Sequence, residues 1–110
     1  MREIKESDWK LLRQLHDVAL ERFCERVLSE VQRRSAASKK SYHERYLDIC
    51  RLLKRRDREL VDAFNGPRRS TAVQQLTVIY SQGLLSEEEF ARFSPETRSA
   101  VDSFLAIVRD

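Results

Sequence analysis

The sequence predicts an all-α fold, a small bundle of about five helices built on a long antiparallel helical hairpin. Only two Gly and two Pro occur in 110 residues, and the chain is rich in the strong helix formers Leu, Arg, Glu and Ala. Apolar residues recur at intervals of three and four rather than alternating as they do in strands. The length is that of one domain over residues 1–110, which is enough for a single ordinary core.

An uninterrupted first helix is predicted over residues 7–34, because no Pro or Gly occurs there. Ser7 is the expected N-cap, while Arg33 and Arg34 place positive charge at the negative end of the helix dipole. At 1.5 Å per residue this helix would be roughly 40 Å long. That length exceeds the ~26 Å diameter of a compact domain of this size.

The apolar positions of the first helix do not form one stripe. With 100° per residue, the apolar residues of its second half lie about a third of a turn or more away from Leu11, Leu15 and Ala19 of its first half. A stripe that moves round the helix needs partners on different sides, which are either other helices or a second copy of the chain. The residues expected at such an interface are Trp9, Leu20, Cys24, Leu28 and Val31.

A second helix is predicted over residues 40–64, after a small, polar and basic loop in which Ser38 or Ser41 can serve as N-cap. Gly66 can take the left-handed position after its last turn, and Pro67 prevents continuation. The two long helices should therefore form the antiparallel hairpin. The apolar face of the second helix comprises Tyr42, Tyr46, Ile49, Cys50, Leu53, Leu60, Val61 and Phe64.

Three shorter helices are predicted over residues 69–82, 86–93 and 95–109. Gly83 stops the first of them. Ser86 and Glu89 have the spacing of a capping box, and Leu85 and Phe90 that of the accompanying hydrophobic staple. The last helix begins at Ser94-Pro95, with Ser as N-cap and Pro in the first helical position.

The stretch from Leu76 to Phe93 consists of an apolar-periodic helix, a Gly, two Leu, a Ser, three acidic residues and a Phe. This pattern is similar to the helical hairpin of SHOCT-type (short C-terminal) domains. The resemblance covers less than a fifth of the chain and implies no functional residue.

Asp57 is the most informative polar residue of the pattern. It lies between Leu53, Leu60 and Val61 in the apolar stripe of the second helix. Because an unpaired buried carboxylate is costly, we expect a structural buried ion pair. The candidate partners are Arg69, just after the break at residues 65–67, and Arg98, at the edge of the last helix's apolar face.

The formal net charge is +3, with both signs interspersed, which does not by itself require a nucleic-acid partner. Basic residues nevertheless cluster in the first loop, on the second helix and before the third helix. In an antiparallel hairpin the first cluster should lie at one end and the others toward the opposite end, which does not favour a nucleic-acid footprint. The residues of a candidate basic patch are Arg33, Arg34, Lys39, Lys40, Arg55 and Arg58.

The sequence contains no motif that indicates catalysis, a metal or a cofactor. His43-Glu44 lacks the second His of a zinc protease, since Leu47 occupies that position. Two glycines cannot form a phosphate-binding loop. His16 is expected to be a core or interface histidine with one satisfied nitrogen, and Cys24 and Cys50 are expected to be buried free thiols.

Three functions remain open at this level. The leading hypothesis is a non-enzymatic protein–protein interaction module, in one version a homodimer across the first helix. The alternative is a nucleic-acid-associated accessory protein that uses the Arg and Lys clusters, and the third is a small enzyme with a pocket near Asp57. No apolar run has membrane-spanning length and no signal peptide precedes the first helix, so we expect a cytoplasmic protein without a cofactor.

Overall fold

The computed structural model describes residues 4–109, and the side chains of residues 4–107. Its described part is all-α, which confirms the predicted fold class. A single 3₁₀ turn over Arg69–Thr71 precedes the third helix. The five helices are α1 (Glu6–Ser35), α2 (Tyr42–Phe64), α3 (Ala72–Ser81), α4 (Glu87–Ala91) and α5 (Pro95–Arg109).

Helix α1 is continuous over 30 residues and packs against α2 as the predicted antiparallel hairpin. The hairpin is longer than the rest of the fold is wide. The molecule measures 52 × 29 × 24 Å and has a radius of gyration of 16.6 Å, against about 13 Å for a compact domain of this length. One end of the hairpin therefore extends beyond the core, as its length predicts.

The turn between α1 and α2 is closed by local hydrogen bonds. Ser41 and Glu44 form a capping box with two 3.1 Å bonds, which selects Ser41 over Ser38 as the N-cap of α2. Arg45 donates from Nη1 to the Ser35 carbonyl oxygen at 2.8 Å. The predicted N-cap of α1 is wrong: the helix begins one residue before Ser7, so Ser7 lies inside the first turn and Lys5 precedes the helix.

The hydrophobic core lies between the first half of α1 and the three shorter helices. Four α1 residues with at most 5% exposure, Leu12, Leu15, Ala19 and Phe23, form one wall of it. The opposite wall is supplied chiefly by α3, α5 and the segments around α4. Its most deeply buried side chains are Leu76, Ile79, Leu84, Phe93 and Val101.

The segment around α4 follows its sequence signature closely. Ser86 and Glu89 form the predicted capping box, and Leu85 and Phe90 are both buried. Gly83 adopts a φ of +68°, the left-handed conformation that glycine reaches without steric cost. The chain thereby reverses between α3 and α4.

Candidate interaction surfaces on the hairpin

The second half of α1 is poorly covered by the fold. Beyond Phe23, Val27 is the last fully buried α1 residue of the described chain. Cys24 and Val31 are half-buried, as are Leu20 and Trp9 of the preceding turns, whereas Leu28 is 63% exposed. The fold thus leaves four of the five predicted interface residues partly accessible and one largely so.

Helix α2 also exposes half of the residues of its apolar stripe. Tyr42 and Tyr46 are 84% and 64% exposed, and Leu53 and Val61 are 40% and 51% exposed. The contact face predicted for α2 is therefore wrong in part. Of the predicted face only Phe64 is buried, and the helix also buries Leu52 and Ala63 completely, because over most of its length α2 is covered from a side rotated away from Tyr46 and Leu53.

The contact between α1 and α2 is partly polar, so it does not require the apolar stripe of α2. Arg56 donates from Nε and Nη2 to both oxygens of Glu30 at 3.1 and 3.0 Å, and from Nη1 to Glu59 at 2.8 Å. The hydrogen bond from Arg56 lowers the pKa of Glu30 despite partial desolvation. A bidentate guanidinium–carboxylate pair is among the stronger ion pairs and fixes the register of two helices.

Ideal helix geometry places the exposed and half-buried apolar residues of the two helices toward one side of the hairpin. From the line of contact, marked by Glu30 on α1 and Arg56 on α2, they follow at rotations of about 80° to 160° on α1 and about 60° to 140° on α2. Leu28 has the largest rotation and points most directly away from α2. Antiparallel helices turn in opposite senses when viewed from one end, so equal rotations lead to the same side. We call this surface the apolar face; it comprises Leu20, Cys24, Leu28, Val31, Tyr46, Cys50, Leu53 and Val61.

The shorter helices occupy the other side of α1. Arg22 and Arg26, which lie on that side, reach the loop after α3: Arg22 donates to the Leu84 carbonyl oxygen at 2.8 Å and Arg26 to the Gln82 carbonyl oxygen at 2.6 Å. Arg22 also forms a bidentate pair with Glu89 at 2.7 and 3.0 Å. The hydrogen bond from Arg22 is the main cause that lowers the pKa of Glu89 to about 2.

Asp57 is exposed, so the predicted buried ion pair of Asp57 with Arg69 or Arg98 is wrong. Asp57 lies on the part of α2 that neither α1 nor α3 covers, so the apolar residues beside it do not enclose it. Arg69 donates to Glu6 at 2.7 Å and to the Ile4 carbonyl oxygen at 3.0 Å. Arg98 donates from Nε to the Phe93 carbonyl oxygen at 3.1 Å.

The buried carboxylate of the fold is Asp8, which is 3% exposed. Its oxygens accept hydrogen bonds from the Ser94 backbone N–H at 2.9 Å, the Ser94 hydroxyl at 2.6 Å and the Thr97 hydroxyl at 2.7 Å. Burial alone would raise the pKa of Asp8, but these bonds and the Lys5 ammonium outweigh it and the pKa falls below its usual value. The sequence shows Asp8 only as an acidic residue in a first turn, so the pattern contains no signal for this role.

The structure brings two predicted basic clusters together. Arg34, at the end of α1, borders the same surface depression as Arg51, Lys54, Arg55 and Arg58 of α2. The prediction that the α1 cluster and the α2 cluster lie at opposite ends is therefore wrong, because the basic turns of α2 pack beside the last turns of α1. We call these five residues the basic patch. Arg33 and Lys39 are exposed nearby, and Lys40 forms an ion pair with Asp48 at 2.6 Å.

The charge of the chain is strongly polarised along the hairpin. Residues 26–58 contain eleven Lys and Arg against four Asp and Glu, a formal net charge of +7. The remaining residues contain ten Lys and Arg against fourteen Asp and Glu, a formal net charge of −4. The small total charge is therefore the sum of a basic segment, residues 26–58, and an acidic remainder of the chain.

The residues that the sequence offered for catalysis or metal binding do not form one site in the described chain. His16 donates from Nε2 to the Phe64 carbonyl oxygen at 3.1 Å and meets the Phe64 ring edge-on, as expected of a core or interface histidine. Cys24 and Cys50 are free and half-buried. Within the described residues, no three His, Cys, Asp or Glu side chains lie close enough together to hold a metal ion. Asp57 borders an open depression with Arg58, Val61 and Asp62.

None of the helices in the described part of the chain combines the length and the apolarity required to cross a membrane. No family model matches the chain, and neither the curated proteins nor the solved structures include a significantly similar one.

Proposed function

We propose that this chain is a non-enzymatic protein–protein interaction module that docks through the apolar face of its hairpin, and that a second copy of the chain is the partner. The observation that carries the proposal is the exposure of large apolar side chains on two adjacent helices, which helix geometry places toward one side of the hairpin. Leu28 of α1 and Tyr46 of α2 are each more than 60% exposed. Apolar side chains grouped in this way favour a protein interface.

A second copy is the most economical occupant. A two-fold axis that runs along the hairpin would place α1 of one protomer over α2 of the other and form a four-helix bundle. Each protomer would then cover the apolar side chains of its partner with the same residues, as isologous interfaces do, and two-fold dimers are the commonest assemblies. The shorter helices lie on the other side of the hairpin and would not obstruct this approach.

Leu28→Glu tests the proposal with little risk to the fold, because Leu28 is 63% exposed in the single chain. A carboxylate in the middle of an apolar interface would be desolvated without a partner. We therefore expect the wild-type chain to sediment as a dimer and Leu28→Glu to weaken the dimer at least about tenfold, the equivalent of ~1.4 kcal/mol.

Ile107→Glu is the matched control. Ile107 is 72% exposed and belongs to α5, away from the apolar face, so this variant should dimerise as the wild type does. A wild-type chain that remains monomeric at high micromolar concentration removes the homodimer. Equal effects of the two variants would show that the apolar face is not the interface.

The two free thiols, both half-buried on the hairpin, fit our expectation of a cytoplasmic protein, since thiols persist in a reducing compartment.

A further inference from the structure

We propose that the basic patch binds the sugar–phosphate backbone of a nucleic acid without sequence preference. This inference goes beyond the docking function above, because it concerns a different surface of the hairpin. The patch is formed by Arg34 of α1 and by Arg51, Lys54, Arg55 and Arg58 of α2.

Most cations of the patch have no carboxylate to neutralise them. Within the described chain, no Asp or Glu oxygen lies within 4 Å of the charged nitrogens of Lys54, Arg55 or Arg58. Asp48, which borders the same depression, lies 3.5 Å from Arg51 but is already held by Lys40 at 2.6 Å. Asp57 and Asp62 border a separate depression with Arg58. The patch therefore keeps an excess of positive charge that a polyanion would offset.

The spacing of these cations suits a row of phosphates. Arg51, Lys54 and Arg58 succeed one another by about one helical turn each and lie on one exposed face of α2. They span about 10 Å along the helix, and each strand of a duplex presents one phosphate per ~3.4 Å of its axis. One edge of the patch can thus meet about three phosphates, and guanidinium groups bind phosphate oxygens in a bidentate manner.

A nucleic acid fits this surface better than an anionic membrane does. A helix that lies on a bilayer inserts its apolar side chains and keeps its basic residues at the level of the headgroups. On α2 the exposed apolar residues Tyr46 and Leu53 are rotated by about 140° from the centre of the patch. A flat bilayer that accepted those side chains would leave most of the patch facing water.

Fluorescence anisotropy with a labelled mixed-sequence DNA duplex and a labelled single-stranded RNA tests this proposal over a range of salt concentrations. Five phosphate contacts predict a plot of log K against log salt with a slope of about −4.5 for the duplex and about −3.5 for the single strand. Between 50 and 200 mM salt the duplex affinity should then fall about 500-fold. The two probes distinguish duplex from single-strand binding, and binding of either supports the proposal.

A triple variant, Lys54→Gln, Arg55→Gln and Arg58→Gln, removes three of the five cations from exposed positions. Its slope for the duplex should fall to about −1.8, and its affinity at low salt should fall in parallel. Lys10→Gln, Arg68→Gln and Arg92→Gln form the matched control, since all three are exposed and lie outside residues 26–58. This control should retain the wild-type slope, and circular dichroism checks that both variants stay helical.

Three results would overturn the proposal. The first is the absence of salt-dependent binding to either probe, and the second is an equal loss of affinity in the two triple variants. The third is binding to phosphatidylserine-containing vesicles that depends on the patch while neither nucleic acid binds.

Discussion

Asp8→Ala is expected to destabilise the protein strongly, because Asp8 is the buried carboxylate of the described chain. Asp8 is almost fully buried and accepts three hydrogen bonds of 2.6 to 2.9 Å from Ser94 and Thr97. These bonds tie the first turn of α1 to the first turn of α5, 86 and 89 positions apart in the chain. The carboxylate is thus part of the tertiary fold rather than of one helix.

The expected loss of stability follows from the three hydrogen bonds that Asp8→Ala removes and from the donors of Ser94 and Thr97 that it leaves without an acceptor. Hydrogen bonds to a charged group contribute roughly 1.5–3 kcal/mol each, and a buried donor that loses its acceptor costs about 1–3 kcal/mol. The three bonds share one carboxylate and Ser94 can partly turn to water, so the terms do not add fully. We expect the free energy of unfolding to fall by about 3 kcal/mol, and Asp8→Asn to cost about half as much because one acceptor oxygen remains.

Chemical denaturation at several pH values is the assay. The pKa of Asp8 is lower in the folded chain than its usual value of 3.8, so its charge stabilises the fold fully above that value. This contribution is lost as pH falls through the lower folded pKa. The difference in unfolding free energy between the wild type and Asp8→Asn should therefore be constant near neutral pH and shrink below about pH 4.

Asp102→Ala provides the control, because Asp102 is an exposed aspartate on α5 and its removal should change stability by less than ~0.5 kcal/mol. A change of that small size for Asp8→Ala would contradict the buried position of Asp8. An acid dependence identical in the wild type and Asp8→Asn would contradict its lowered pKa.

Two further substitutions test the connection between α1 and α4 and the turn before it. Glu89→Gln should lower the free energy of unfolding by about 2 kcal/mol near neutral pH, because it weakens the bidentate bond with Arg22. The pKa of Glu89 is about 2 in the folded chain against its usual 4.5, so this contribution is present above pH 4.5 and disappears as pH falls toward 2. Urea titrations at pH 7 and 3 would measure it. An undiminished difference at the lower pH would contradict that assignment. Gly83→Ala should lower the free energy of unfolding by about 1 kcal/mol, because alanine is strained at a φ of +68°. No steric clash adds to this cost, since an added Cβ would lie 3.7 Å from the nearest side-chain atom, Nη2 of Arg26. Gly66→Ala, with a φ of +54° and no atom within 4 Å of an added Cβ, should show a similar melting-temperature loss, and a much larger loss at Gly83 would show that packing matters there.

Most predictions that rest on local interactions were accurate, although the predicted N-cap Ser7 lies inside the first turn of α1. The predicted capping box at Ser86 formed, and Ser41, one of the two candidate N-caps, caps α2. The two glycines took positive φ values where the chain turns. These features depend on residues three or four positions apart, so the short-range pattern contains all the information needed.

The prediction for Asp57 failed because burial depends on what packs against a helix. The stripe that includes Leu53 and Val61 is apolar, and the pattern alone reads as a core face. In the structure α1 and α3 approach α2 from another side, where Leu52 and Ala63 become fully inaccessible. Asp57 and much of the stripe are left at the surface, and Asp8, far away in the chain, becomes the buried carboxylate.

The amino-acid sequence by itself determined the helices, their approximate ends and the excess length of α1, because propensity, capping and hydrophobic period act within a few residues. The tertiary structure alone decided which faces are covered and which charges lie together. Those outcomes depend on the rotation of each helix about its axis and on its neighbours, and neither is encoded within a single helical segment. The apolar face and the basic patch are both products of that rotation.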